Sequence, residues 1–460
     1  MSAFNSPSPA ARRIRVGLVA ALSAVGLAVA ACGGGGDDVS KTSGSAASAE
    51  AGTEIPTTDV KLAYYPCCAD NALFAHGVEQ GYFEDVGINI VPPKAHQYTL
   101  FDQIVPSMQR GDFDVAGMFI QGYLQTLNTF GQDIPPILFH DIYLGYAILK
   151  APNNPAKTAE DFMAQGMAFP EAANAAVQQL RGQEVYTPPH GQVQPPYPDV
   201  FLSYGDMNYP KDLKLKFLED PKIVELATTP GRMKWAIPYA APVVVQMIRE
   251  GWKPVINVNM MFENDNESEQ SDRMRELVGS TGMIAQREWV EKNPDAALRL
   301  LSAVYRIIDD LEDPAKQQTG FKTLADLINA TQGQKLIPDD IGSIFKEIDP
   351  LFPWEDQGKE LWDDPDAPYH VRSSLDAQIA ALIENKTLPD KEYDLDQFLV
   401  AEQLYKRMKG LQDEADGLLK QAERADLAAD KSAIVDKAKQ HYEWHNYLDS
   451  VRLLKAALAS

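Results

Sequence analysis

Lys61-Leu62-Ala63-Tyr64-Tyr65-Pro66 and, after one helix's length, Gly77-Val78-Glu79-Gln80-Gly81-Tyr82-Phe83-Glu84-Asp85-Val86-Gly87-Ile88 decide how this chain folds. Residues 60–65 alternate weakly and are rich in β-forming side chains, and Pro66 ends the run. Residues 71–80 read as a helix that stops at Gly81. The turn through 82–87 leads to a second short apolar strand at 88–91. Strand, helix and strand in that order predict a βαβ unit, whose parallel strands leave their carboxyl-end loops on one edge, where ligands bind.

Working outward, the pattern repeats. Residues 98–110 read as a helix, Gly111-Asp112-Phe113-Asp114 as a turn and 115–120 as a buried strand. Strands are expected at 134–138 and 143–149, and Ala151-Pro152-Asn153-Asn154-Pro155 is a break of the kind that joins lobes. A second α/β block fills 158–252, with a strand at 183–187, a long Pro-rich loop at 188–198 and a helix at 199–204. Residues 255–258 are expected to carry the chain back to the first lobe, after which it is mostly helical. The expected organisation is a first lobe of 59–150 plus 255–403 with a helical tail, a second lobe of 151–254, and an extension at 404–460. In that extension Leu411, Ala415, Leu418, Leu419 and Ala422, then Ile434, Val435, Ala438 and Tyr442, recur at helical intervals and predict two packed amphipathic helices.

The first residues speak for compartment. Arg12, Arg13 and Arg15 precede an apolar run at 16–29 that is too short to span a bilayer comfortably. The run ends in Val29-Ala30-Ala31-Cys32, which resembles a bacterial lipobox. A signal peptide over 1–31, lipidation at Cys32 and a flexible Gly/Ser/Ala/Thr tether over 32–58 are therefore expected, placing the protein in the periplasm or at the cell surface, anchored to a bacterial membrane. The formal charge of −23 argues against nucleic acid or an anionic membrane surface as partner. An apolar content of 45% supports more than one core. Besides Cys32 only Cys67 and Cys68 are present, and being adjacent they cannot staple distant elements. A strained vicinal disulfide, two thiols and a soft-metal site are the three readings open to them.

The order of motifs resembles the solute-binding proteins for nitrate, sulfonate, taurine and thiamine pyrimidines. The two opening stretches carry that resemblance together with Gln109-Arg110-Gly111-Asp112-Phe113-Asp114-Val115-Ala116, Leu180-Arg181-Gly182-Gln183-Glu184-Val185, residues 231–242, and Thr281-Gly282-Met283-Ile284 leading into Glu291-Lys292-Asn293-Pro294-Asp295-Ala296. Phe352-Pro353-Trp354 through Tyr393-Asp394-Leu395 looks like the same family's helical tail. The resemblance implies an α/β, two-lobed periplasmic binding protein of type II, with doubly wound sheets, a cleft and a helical C-terminal extension. It further implies a small-molecule solute, an ABC permease with its ATPase as partners, no cofactor, no metal and no catalytic residue.

Three loops are expected to face the cleft: 65–71, 118–123 and 187–197. They and the second-lobe strand supply the candidate ligand-binding residues Tyr65, Cys67, Cys68, Asn71, Phe119, Gln121, Tyr123, Thr187, His190 and Trp235. Flat aromatic faces with polar tips beside directional hydrogen-bonding groups suit an aromatic or heterocyclic solute. Where sulfonate-binding relatives offer backbone N–H groups, this chain has Pro188-Pro189-His190-Gly191, and proline has none to give. A disulfide between Cys67 and Cys68 would present a rigid, polarisable surface in the first loop. Two rival readings stay open: an enzyme like thiamine-pyrimidine synthase, and a ligand-sensing lipoprotein that feeds no transporter. Against the enzyme, the sequence has no nucleophile elbow, HExxH, P-loop or Rossmann glycine fingerprint.

Overall fold

The computed structural model describes residues 49–91, 97–98, 100–130, 133–188, 197–265, 268 and 270–459. The expected signal peptide, Cys32 and most of the tether lie outside them, as do His190 and most of the Pro-rich loop. Among the described residues no helix is long and apolar enough to cross a membrane.

Two five-stranded mixed sheets organise the chain, as the α/β reading expects. The first runs β4 (Gln97–Tyr98), β2 (Leu62–Tyr64), β5 (Val115–Phe119), β12 (Thr281–Ala285), β6 (Pro136–Phe139). The neighbours β4, β2 and β5 are parallel, and β12 enters antiparallel between β5 and β6 with Thr281 opposite Phe119. The second runs β11 (Lys253–Asn257), β7 (Ala147–Lys150), β10 (Trp235–Ala236), β8 (Glu184–Thr187), β9 (Lys214–Phe217).

The opening strand differs from the simple βαβ reading. It is split at Lys61: β1 (Thr58–Val60) pairs in parallel with β3 (Ile88–Ile90) in a separate two-stranded ribbon, while β2 joins the main sheet. The cause lies in Asp114, whose carboxylate accepts from the Lys61 backbone N–H at 2.9 Å while Asp114 N–H donates to Lys61 O at 2.9 Å. Those bonds exchange the β3 partner for β5. A second difference concerns 255–258: β11 pairs antiparallel with β7 inside the second sheet, so both crossing segments are strands of that sheet. Residues 147–149, expected in the first lobe, belong to it for the same reason.

The long Pro294–Glu312 helix packs against the helices Ala69–Gln80 and Gln317–Gln332 and against the ribbon strand β3. The C-terminal extension forms three helices rather than two, because the chain turns at Trp444-His445-Asn446, where His445 has φ 57°: Tyr447–Leu458 packs on the long helix, and Val400–Ala422 and Ala429–Glu443 pack on Tyr447–Leu458. Leu404, Leu411, Ala415, Val435, Ala438, Val451 and Leu454 are buried in the seam. His441 also lies inside, its Nδ1 3.1 Å from Asn446 Nδ2, and burial lowers its pKa from 6.5 to about 4. A depressed folded-state pKa means that stability is present above pH 6.5 and lost as pH falls toward 4, since the unfolded chain takes up the proton first. Melting curves recorded across that window should therefore fall less steeply for His441→Gln than for the parent chain.

Candidate functional site

The loop after β2 brings Tyr65, Pro66, Cys67 and Cys68 to the carboxyl edge of the first sheet, and Cys68 caps the helix Ala69–Gln80 with extended backbone (φ −140°, ψ 159°). The two Sγ atoms stand 2.6 Å apart with no disulfide between them. The Cys67 hydrogen bond and burial push the Cys68 thiol well above its usual range. Tyr65 Oη donates to Gln332 Oε1 at 3.0 Å, which ties the loop to the end of the helix Gln317–Gln332.

Next to the cysteines, three carboxylates converge. Asp70 comes from the first turn of that helix, Asp141 from the segment leaving β6, and Asp349 from the end of a helical turn whose Ile344 O accepts from Asp349 N–H at 2.8 Å. Residues 140–144 are stitched to 348–352 by Ile142 N–H to Pro350 O at 3.2 Å, Leu144 N–H to Ile348 O at 2.6 Å and Phe352 N–H to His140 O at 2.8 Å. This holds Asp141 against Asp349, and one carboxylate oxygen from each of the three acids lies within 4.8 Å of the others. All three are buried, at 5%, 0% and 1% exposure for Asp70, Asp141 and Asp349.

Donors reach only part of this cluster. Thr281 Oγ1 and Asn71 Nδ2 both donate to Asp70 Oδ2, and Thr281 N–H donates to Asp141 Oδ1. Among the described residues no group donates to Asp70 Oδ1, Asp141 Oδ2 or either oxygen of Asp349. Burial raises all three pKa values; the charge of Asp70 adds to the rise at Asp141, and those of Asp141, Asp70 and Cys67 add at Asp349. His140, wholly buried, sets Nε2 3.2 Å from Asp70 O and 3.8 Å from Asp141 Oδ2. Burial lowers its pKa to about 4, so the ring is neutral at pH 7 and contributes no compensating charge. Such an arrangement retains protons or binds a cation; three bare anions at this spacing are not a stable alternative.

Segments of the two sheets meet through aromatic rings. Phe119 and Tyr143 are in edge contact at 6.4 Å, Tyr143 and Tyr146 at 4.7 Å, Tyr146 stacks on Tyr197 at 4.4 Å, and Tyr197 meets Tyr239 at 5.4 Å. Tyr143 Oη donates to Tyr239 O and Tyr197 Oη to Pro238 O, so first-lobe and second-lobe segments are bonded as well as packed. Tyr146 Oη donates to Gln121 Oε1 at 2.7 Å, and Gln121 Nε2 to Glu276 O at 2.7 Å. A cavity of about 20 Å³ lined by Ile120, Gln121, Ile142 and Ser280 adjoins the rings and has room for one water.

Of the residues expected to face a solute, the structure brings Cys67, Cys68 and Asn71 together at the acid cluster, and Phe119 and Gln121 at the aromatic contact. Tyr65 stands apart on Gln332. Three others are core residues. Tyr123 is fully buried and stacks on Phe398 at 6.0 Å, because β5 passes directly into the helix Ile120–Leu124, which turns that side chain inward. Thr187 is fully buried with Oγ1 donating to Ile237 O at 2.9 Å, and Trp235, 3% exposed, lies in the strand that pairs with β7. His190 lies outside the described residues. Asp141, Asp349, Tyr143 and Tyr146 escaped the sequence reading; His140-Asp141 directly after an apolar strand was the one local signal for them.

No protein-family model and no curated protein matches the chain by sequence. Solved structures do match in fold. The periplasmic sulfonate-binding protein SsuA from Methylobacillus flagellatus KT aligns with a TM-score of 0.51 at 12% identity, over 77% of this chain and 95% of that one. The periplasmic aliphatic sulphonate binding protein SsuA from Escherichia coli aligns at 0.49 and 15%, over 75% and 98%. A variant of the desulfurization enzyme DSZB in complex with biphenyl-2-sulfinic acid aligns at 0.47 and 12%, over 78% and 100%. The chain has the two-sheet fold of periplasmic solute-binding proteins.

Proposed function

We propose that this protein is an extracytoplasmic solute-binding receptor that delivers a small organic molecule to an ABC permease and its ATPase, held to the membrane by a lipid on Cys32. The observation that supports the reading best is the meeting of two α/β sheets through a cluster of aromatic side chains drawn from both lobes, Phe119, Tyr143 and Tyr146 from one and Tyr197 and Tyr239 from the other. A ligand that replaces contacts between those rings binds one lobe arrangement better than another and shifts the equilibrium between them by that difference. Aromatic lining and the prolines at 188–189 favour an aromatic or heterocyclic cargo over a small sulfonate. A thermal-shift panel of aromatic carboxylates, pyrimidines, flavins and sulfonates tests this. The cargo should raise stability by roughly 2.7 kcal/mol at a hundredfold excess over Kd, and stabilisation by small sulfonates alone would overturn the assignment of cargo.

An enzyme is the second reading, favoured by one observation: the Cys67–Cys68 pair in the loop after β2. Turnover of an organic sulfur substrate that is abolished in Cys67→Ser or Cys68→Ser would replace the receptor reading with it.

A further inference from the structure

We propose that Asp70, Asp141 and Asp349 form a binding site for an oxygen-seeking divalent cation, Ca²⁺ or Mn²⁺, on the first-lobe side of the aromatic contact. The proposal stands apart from the receptor reading, since the site is complete within the first lobe.

Convergence of three acids is the first observation, and by itself it says little. The second is the way their oxygens are divided. Thr281 and Asn71 occupy Asp70 Oδ2 and the Thr281 N–H occupies Asp141 Oδ1, which fixes both carboxylates and leaves Oδ1 of Asp70 and Oδ2 of Asp141 without a donor. Anchoring one oxygen of a carboxylate while the other stays bare is how outer groups orient metal ligands. The third is Asp349 itself, 1% exposed, with no donor on either oxygen, an unpartnered buried side chain directed at the other two acids. Asn71, through Nδ2, helps to hold Asp70 in place beside the other two acids.

The spacing fits. With bonds of 2.3–2.6 Å, ligand oxygens on opposite sides of Ca²⁺ lie about 5 Å apart and adjacent ones about 3.4 Å, so three oxygens no more than 4.8 Å apart can share one ion. Carboxylate oxygens select Ca²⁺ or Mn²⁺ over soft metals. The thiols of Cys67 and Cys68 are not among the converging ligand atoms, which separates this site from a soft-metal site on the cysteines.

The test is titration of the chelator-stripped full chain with Ca²⁺, Mn²⁺ and Zn²⁺ by calorimetry, with bound metal counted by mass spectrometry. The expected result is one Ca²⁺ or Mn²⁺ per chain, weakened about tenfold or more in Asp349→Asn and in Asp141→Asn and unchanged in the Cys67→Ser/Cys68→Ser double variant. Asn keeps the shape of Asp and removes a buried charge, so metal-free Asp349→Asn should melt no lower than the metal-free parent, and added Ca²⁺ or Mn²⁺ should raise the melting temperature of the parent alone. Absence of saturable Ca²⁺ or Mn²⁺ binding up to about 1 mM would overturn the proposal. So would binding that survives both Asn substitutions, or binding of Zn²⁺ alone that disappears with the cysteines.

Discussion

Arg299→Ala is expected to destabilise the protein by about 3–5 kcal/mol, read as a fall in the calorimetric transition and as early proteolysis of the last helix. Arg299 is among the largest fully buried side chains, and its Nε and Nη2 bind the two oxygens of Asp449 at 2.7 and 2.8 Å. Asp449, in the first turn of Tyr447–Leu458, also accepts from Asn446 Nδ2 at 2.9 Å, and Arg299 Nη1 reaches Pro56 O at 3.5 Å. One guanidinium thus joins the end of the expected tether, the long helix of the first lobe and the C-terminal helix. Removing it leaves Asp449 buried with Arg452 as its nearest cation at 3.6 Å, and the desolvation of that carboxylate is no longer offset. Arg299→Met with Asp449→Leu removes both charges and should recover much of the loss. A single Arg299→Ala within about 1 kcal/mol of the parent would mean that the C-terminal helix is held by apolar burial alone.

Gly282→Ala is expected to be the more damaging of two glycine substitutions, yielding insoluble chain or a loss above the about 1–3 kcal/mol usual for overpacking. Gly282 sits in β12 between β5 and β6, and a Cβ there would stand 1.9 Å from the Leu138 carbonyl oxygen. Backbone cannot swing aside as a side chain does, so β6 must separate from β12, and with it Asp141 from Thr281. Gly410 is the control. It lies in Val400–Ala422 with nothing within 4 Å of its Cβ position, and Gly410→Ala should stabilise by about 1 kcal/mol through helix propensity. Soluble yield and melting temperature of the two variants decide the matter; a Gly282→Ala chain that melts with the parent would show β6 to be far more compliant than its register implies.

The order of elements was legible because apolar runs of strand length alternate with helical segments closed by Gly81, Gly111 and Gly182, each with positive φ in the structure. What the spacing cannot show is which strand a segment pairs with. The break at Lys61 depends on Asp114, and the pairing of β11 with β7 depends on residues a hundred apart. The acid cluster was hidden for the same reason: Asp70, Asp141 and Asp349 meet only through the stitching of 140–144 to 348–352, and no local pattern marks an acid as buried. Tyr143 and Tyr146 read as strand residues because β7 begins directly after them. Tyr123 and Thr187 show the opposite failure, loop residues by position that packing turns inward.

The segment 140–147 compresses much of this into eight residues. It carries His140 and Asp141 of the cluster, the rings of Tyr143 and Tyr146, and at Ala147 the first residue of the second sheet. Five residues, 142–146, are therefore all that separate Asp141 from β7 of the second sheet. If a cargo at the rings and a cation at the acids both bind, any effect of one on the affinity for the other is reciprocal and of the same factor.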